Sequence, residues 1–153
     1  MGVSDKNERV CAKWEPYMEM GHKEIDNQHK TLIEEINKLC REIKEKDPKA
    51  EQIKEHIKFM LNYALRHFST EEKLMQEIGY PGYLQHYNAH RWFEKQVRKL
   101  VEDYKRFGPT NAMLMRIHHL LVDWLVNHIC GTDGELRTYY KSYIKNSLDD
   151  IFL

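Results

Sequence analysis

The feature that most constrains the fold of this chain is a set of histidine and carboxylate residues at helical spacing. The set holds two pairs four residues apart, one pair five residues apart and one upstream histidine: His67 and Glu71, His86 and His90, His128 and Asp133, and His29. On an α-helix a spacing of four places two side chains one above the other, so both can point to one site. The fold is therefore expected to bring several helix faces together around these residues.

The chemistry of this set indicates a metal site. Imidazole and carboxylate groups are ligands that borderline first-row metals accept. A single buried histidine is more often a hydrogen-bonded core residue. Five imidazoles and two carboxylates buried together would be costly without a partner of opposite charge. They are too many for one closed site, and their number fits two adjacent metals that share the carboxylates as bridges.

Four segments carry the narrow apolar stripe that is typical of a bundle helix, and a histidine takes a stripe position in each. Capping residues, prolines and glycines predict where the helices begin and end. The predicted helices run from about residue 23 to 46, from Asp47 as N-cap and Pro48 as first helical residue to about Ile78, from Tyr83 to Phe107, and from Thr110 to at least His128.

This pattern predicts an all-α fold, an up-down-up-down four-helix bundle over residues 23–133. Residues 1–22 are expected to form an irregular arm, and residues 134–153 a tail with a short C-terminal helix. The tail has apolar and tyrosine residues at helical spacing, which could pack on the bundle or form a partner-binding or dimer contact. These residues are Leu136, Tyr139, Tyr140, Tyr143, Ile144 and Leu148.

The position of Asp133 conflicts with an unbroken helix. Five residues correspond to about 500°, so Asp133 would lie roughly 140° around the axis from His128. Gly131 and Gly134 are where the backbone could leave the helix and turn the carboxylate inward. The alternative is that Asp133 is a solvated loop residue.

The other histidines lie off the stripes and are expected not to bind metal: His22, His56, His118 and His119.

The composition limits the kinds of binding partner and the cellular compartment that are expected for this protein. The chain has 24 basic and 24 acidic residues, so no charge excess indicates a nucleic acid or an anionic membrane as partner. No apolar run is long enough to span a bilayer, and the N-terminus lacks a signal-peptide core. Cys11, Cys40 and Cys130 have no metal-type spacing and are odd in number, which favours reduced thiols and a cytoplasmic protein.

Four short segments carry a resemblance to a known family. They are IDNQHK at residues 25–30, HFSTEE at 67–72, HYNAH at 86–90 and HICGTD at 128–133, with Trp14 ahead of them. Together they resemble the signature of the hemerythrin family, most closely its single-domain bacterial members. The resemblance covers about residues 14–133 and implies a centre of two non-haem irons that binds O2 reversibly.

The resemblance also implies roles for individual residues. One iron would be held by His86, His90 and His128 and the other by His29 and His67, with Glu71, Asp133 and an oxo or hydroxo group as bridges. The implied apolar O2 pocket consists of Leu32, Phe68, Trp124, Leu125 and Ile129. The expected function is O2 transport, storage or delivery rather than catalysis. The alternatives are a di-iron enzyme that reduces nitric oxide or peroxide, and an O2 sensor. Cys130 would be a buried apolar side chain or a redox-sensitive thiol.

Overall fold

The computed structural model of the protein describes residues 11–152, and the predicted arm before Cys11 lies outside this range. All secondary-structure elements of these residues are helices, and none is a strand. After a short 3-10 turn at Pro16–Met18 come α1 (Lys23–Ile43), α2 (Ala50–Glu77) and α3 (Tyr83–Phe107). Consecutive helices pack against each other in a helical bundle.

The last helical stretch is continuous from residue 111 to 152 but changes its winding twice. It consists of α4 (Asn111–Ile117), a π-helical segment π1 (His118–Trp124), α5 (Leu125–Asn127), a second π segment π2 (His128–Thr132) and α6 (Asp133–Phe152). The tail is helical, as predicted, but its helix of 20 residues is neither short nor separate from the preceding segments. The tail continues the fourth helix because the backbone keeps right-handed helical angles through the glycines.

Side-chain caps fix the N-termini of two helices close to their predicted starts. His22 is the N-cap of α1, where its Nδ1 accepts from the Ile25 N–H at 3.3 Å. Thr110 caps α4, and its hydroxyl accepts from the Met113 N–H at 3.2 Å. The prediction that Asp47 and Pro48 begin the second helix is wrong, because a turn after α1 occupies residues 44–47 and α2 begins only at residue 50.

The buried apolar residues form two cores along the bundle. On α1, His29 lies between Ile25 of the smaller core and Leu32 of the larger one. On α2, Phe68 belongs to the larger core and Leu74 to the smaller, and the residues between them include Glu71. The polar cluster described below therefore separates two apolar layers.

The segment before α1 is attached to the bundle by polar side chains. Asn37 Oδ1 accepts from the N–H groups of Cys11 (3.0 Å) and Ala12 (2.9 Å), and its amide donates to the Ala12 carbonyl (2.8 Å). Cys11 forms a disulfide with Cys40, their Cα atoms 6.5 Å apart. The expectation that all three cysteines are reduced thiols is thus wrong, because the segment folds back on α1.

No helix of the described residues is long and apolar enough to cross a membrane.

The π2 segment explains how Asp133 reaches the bundle interior. The Asp133 N–H donates to the His128 carbonyl, five residues back, where an α-helix would use the residue four back. This winding accommodates one extra residue, so side chains five apart lie one above the other. The predicted break at Gly131 and Gly134 is wrong, since the described glycines with positive φ are Gly21, Gly79 and Gly108.

We expect replacement of Gly131 by Ala to stabilise the protein. Gly131 has a helical backbone, and an added Cβ would meet no described atom within 4 Å. The substitution should raise the free energy of unfolding by about 0.4–1 kcal/mol, because alanine restricts the unfolded chain more than glycine does. Denaturant titration measures this change. Gly108→Ala is the matched control and should destabilise, because Gly108 has a φ of 72°. A destabilised Gly131→Ala protein would contradict the continuous π-helical backbone.

Candidate metal centre

The structure brings all seven predicted ligands together inside the bundle. None of them exposes more than 3% of its surface. Their nitrogen and oxygen atoms form two groups, and within each group the ligand atoms lie within 4.8 Å of one another. The groups are His86, His90 and His128 with Glu71 and Asp133, and His29 and His67 with the same two carboxylates. Both carboxylates are thus shared, while the imidazoles are divided three to two.

Asp133 lies between the two groups with one oxygen toward each. Its Oδ2 is 2.9 Å from His29 Nε2. Its Oδ1 is 3.0 Å from His86 Nε2 and 3.2 Å from His128 Nε2. A carboxylate whose two oxygens face different sets of imidazoles has the arrangement needed to bridge two cations.

Glu71 joins the same groups from α2, four residues after His67. Its Oε1 lies 2.8 Å from His67 Nε2 and 3.6 Å from His90 Nε2, and its Oε2 lies 3.8 Å from His86 Nε2. The helical spacing of four places His67 and Glu71 on one face, as the sequence predicted. Glu71 therefore approaches both sets of imidazoles.

Several of these buried atoms have no hydrogen-bond partner among the described residues. They include His67 Nε2, His86 Nε2, both oxygens of Glu71 and Asp133 Oδ1. Some of these atoms are close to each other, as the distances above show, but they lack the alignment of a hydrogen bond. Buried polar groups without partners are costly and rare. A pair of bound cations would satisfy them, so the residues present fit a two-metal centre.

Burial and mutual interactions shift the ionisation of the centre. Burial, and next the charge of Asp133, raise the pKa of Glu71 well above its usual value. Burial alone would also raise the pKa of Asp133, but attraction to His128 and the close approach of the His128, His29 and His67 imidazoles outweigh it and hold that pKa well below normal. Burial, with repulsion from neighbouring imidazoles, lowers the pKa of His29 and His90. His29 and His90 are therefore neutral, which is the form that binds metal.

Comparison with known proteins agrees with this geometry. The model of the family described as "Hemerythrin HHE cation binding domain" matches residues 20–140 of the chain. The chain belongs to the hemerythrin family.

Several relatives of this hemerythrin carry the name bacteriohemerythrin. The chain is 32% identical over 138 residues to one from Pseudomonas aeruginosa (strain LESB58), covering 90% of this chain and 84% of that protein. It is 29% identical over 131 residues to one from Stenotrophomonas maltophilia (strain R551-3), covering 86% and 82%. It is 28% identical over 131 residues to one from Campylobacter jejuni subsp. jejuni serotype O:23/36 (strain 81-176), covering 86% and 96%.

Two polar residues that the sequence did not single out orient the histidines of this hemerythrin. His67 Nδ1 lies 2.7 Å from Gln28 Oε1, and His90 Nδ1 lies 2.7 Å from Glu72 Oε2. With Nδ1–H donating in each pair, Nε2 keeps its lone pair for a metal. Arg91 Nη2 lies 3.1 Å from the same Glu72 oxygen and holds it in place. Gln28 and Glu72 stand beside His29 and Glu71 in the motifs quoted above, and this adjacency was the available signal.

The histidines expected not to bind metal lie outside the centre. His56 is half-buried between α1 and α2, with Nε2 2.7 Å from Glu35 and Nδ1 3.1 Å from Glu42. His119 is exposed, and its Nδ1 lies 3.2 Å from Asp123. His118 and the capping His22 are half-buried and likewise absent from the two ligand groups.

Of the five residues predicted to form the O2 pocket, two stack on ligand histidines and three are buried in the larger core. Leu32, Leu125 and Ile129 are buried in the larger core. Phe68, also buried there, stacks on His90 with ring centroids 3.9 Å apart and planes 7° apart. Trp124 is half-buried and stacks on His128 at 4.7 Å and 13°. These two rings therefore cover the side of the centre that has three histidines.

Cys130 faces away from the ligand atoms. It is half-buried against the larger core, and its sulfur lies 3.9 Å from the Tyr17 hydroxyl. The prediction of a small packing side chain or a redox-sensitive thiol stays open between these two roles.

We expect Glu72→Ala to weaken metal retention without removing a ligand. Loss of the acceptor at His90 Nδ1 frees the imidazole to rotate and lowers its basicity, which typically costs about 10–100-fold in metal affinity. Competition with an iron chelator measures the change. Glu94→Ala is the matched control, because Glu94 also pairs with Arg91, at 3.3 Å, but does not contact His90 through any hydrogen bond in the described chain. Equal retention in both variants would show that Glu72 does not support the centre.

Proposed function

We propose that this hemerythrin binds O2 reversibly at a non-haem di-iron centre and acts in O2 transport, storage or delivery. The observation that carries the proposal is the division of the ligands, with two shared carboxylates between a group of three imidazoles and a group of two. The group with fewer imidazoles leaves room for one more ligand. A ferrous pair bound there would supply the electrons for reversible O2 binding.

In this proposal each ligand has a stated role. One iron would be held by His86, His90 and His128 and the other by His29 and His67, with Glu71, Asp133 and an oxo or hydroxo group as the bridges. The opposed oxygens of Asp133, 2.9 Å from His29 Nε2 and 3.0 Å from His86 Nε2, support the bridging assignment. Five neutral imidazoles with only two carboxylates favour the ferrous state, because they add little negative charge.

The surrounding apolar residues are proposed to keep the O2 site dry. Leu32, Leu125 and Ile129 are almost fully buried and lie within four residues of a ligand histidine on the same helical stretch. Excluding water removes the proton source and the competing anions that would drive irreversible oxidation of the irons. The relatives named bacteriohemerythrin share most of the length of this chain, which also supports an O2-binding role.

The test is an optical spectrum of the iron-loaded protein with a metal count. We expect two irons per chain, and a spectrum that changes when air is admitted to the anaerobically reduced protein and changes back under argon. His119→Ala should behave as the parent, because His119 is exposed and outside the ligand groups. One iron per chain, or a change that argon does not reverse, would overturn the proposal. Irreversible consumption of nitric oxide or peroxide would instead favour the redox enzyme.

Three further points are part of this proposal. The connections between the long helices are short, at residues 44–49, 78–82 and 108–110, which supports an up-down-up-down arrangement.

We also propose a cytoplasmic location. Alkylation of thiols in quenched cell extracts tests it, and a persistent Cys11–Cys40 disulfide would count against it. A partner or dimer contact on the tail stays a prediction; there Leu148 is 50% exposed, whereas Tyr139 packs on the smaller core.

We expect Leu125→Ala to shorten the life of the oxygenated protein. Leu125 is fully buried and precedes His128 by three residues, so its loss opens space beside the centre. The variant should keep two irons but become diferric in air several-fold faster than the parent, as the optical spectrum would record. Its stability should fall by about 2–5 kcal/mol.

Leu100→Ala is the matched control for this experiment. Leu100 is also buried, but it lies ten residues beyond His90 on α3, about 15 Å along the helix axis. The control should lose comparable stability and keep the oxidation rate of the parent. Equal oxidation rates for Leu125→Ala and the parent would show that Leu125 does not protect the site.

A further inference from the structure

A second cluster of metal-ligand side chains lies away from the di-iron centre. Cys11, Cys40 and His118 each offer one ligand atom, and these atoms lie within 4.8 Å of one another. The three residues are 29 and 78 positions apart in the chain, so no short motif reveals them. Cys40 follows His29 by eleven residues on α1, which places it about 16 Å along the helix axis. The cluster is therefore separate from the seven ligands described above.

The fold holds both cysteines in defined positions. Asn37 makes three hydrogen bonds of 2.8–3.0 Å to the backbone of Cys11 and Ala12. Asn37 and Cys40 are three residues apart on α1, so they lie on one face and Cys11 is held above Cys40. Cys40 is fully buried and Cys11 half-buried.

His118 completes the cluster from π1, which packs against α1. Its Nδ1 lies 3.5 Å from Asp123 Oδ2, an ion-pair distance without a hydrogen bond, and that oxygen lies closer, at 3.2 Å, to His119 Nδ1. Asp123 therefore adds a negative charge near the His118 imidazole and leaves its nitrogens available to a metal. Lys44 Nζ lies 3.7 Å from Cys11 Sγ, and an ammonium group at this distance favours the thiolate form.

We propose that Cys11, Cys40 and His118 bind one Zn²⁺ when the disulfide is reduced. Two thiolates and one imidazole are common zinc ligands, and they leave a fourth position open to water. The two thiolates neutralise the charge of the ion, which a partly buried site requires. Reduction by a phosphine breaks the Sγ–Sγ bond: the phosphine supplies two electrons and becomes its oxide with oxygen from water, and water supplies two protons to the sulfurs. Zinc then displaces those protons.

The test uses the iron-loaded full-length protein, reduced with a phosphine and desalted under argon. Zinc is titrated against a chromogenic chelator, iron is counted in the same samples, and protection of the thiols from alkylation is followed by intact mass. We expect one zinc per chain without loss of iron, and protection of two thiols. Cys11→Ser, Cys40→Ser and His118→Ala should each weaken zinc binding by at least about tenfold. The unreduced protein should bind none at this site.

Two variants serve as matched controls. Cys130→Ser removes the remaining cysteine, and His119→Ala removes the neighbouring exposed histidine, so both should bind zinc as the parent does. Cys11→Ser keeps the test valid if Cys40→Ser, at a buried position, fails to fold. Zinc binding that survives Cys11→Ser or His118→Ala would overturn the proposal, as would zinc uptake that only replaces iron.

Discussion

The fold depends on a buried cluster of polar groups that only partly satisfy one another. His90 Nε2 and His128 Nε2 lie 3.1 Å apart, and the other nitrogen of His90, Nδ1, donates a hydrogen bond to Glu72. Two nitrogen lone pairs at this distance repel unless a proton or a cation lies near both. The same holds for Glu71 and Asp133, whose negative charges would be costly to bury without positive charge. Bound metal ions would therefore offset the cost of burying this cluster between the helices.

The π-helical turn at His128–Thr132 gives this cluster its second carboxylate, that of Asp133. An α-helix would direct Asp133 away from the interior, and a loop would end the helix before the tail could pack. The i+5 winding avoids both results, because it keeps Asp133 in line with His128 and lets α6 continue. Leu136, three residues further on, is then fully buried in the smaller core. One extra residue in one turn therefore serves both the site and the packing of the tail.

The sequence predicted the parts of the fold and site that follow from local periodicity. The stripes located four helical segments, and spacings of four placed Glu71 with His67 on one face. Periodicity could not predict the π turn, since it assumes one fixed winding, nor the Cys11–Cys40 contact, which depends on how an irregular segment returns to α1. It also missed Gln28, because the partner of a second imidazole nitrogen depends on how the ring is oriented in three dimensions.

Metal binding and folding must be coupled in such a structure. The ligands come from every long helix, and the contact between His29 and Asp133 joins residues 104 positions apart. An ion held between them connects the first helix to the last, across the boundary between the two apolar cores. Because the unfolded chain has no such preformed site, an ion that binds the folded chain adds its binding free energy to stability. The hydrogen bonds that His67 and His90 donate to Gln28 and Glu72 reduce the reorganisation that binding requires, since they fix two imidazoles before a metal arrives. The two cores thus supply a frame for the ligands, and bound ions would stabilise the polar layer between the cores.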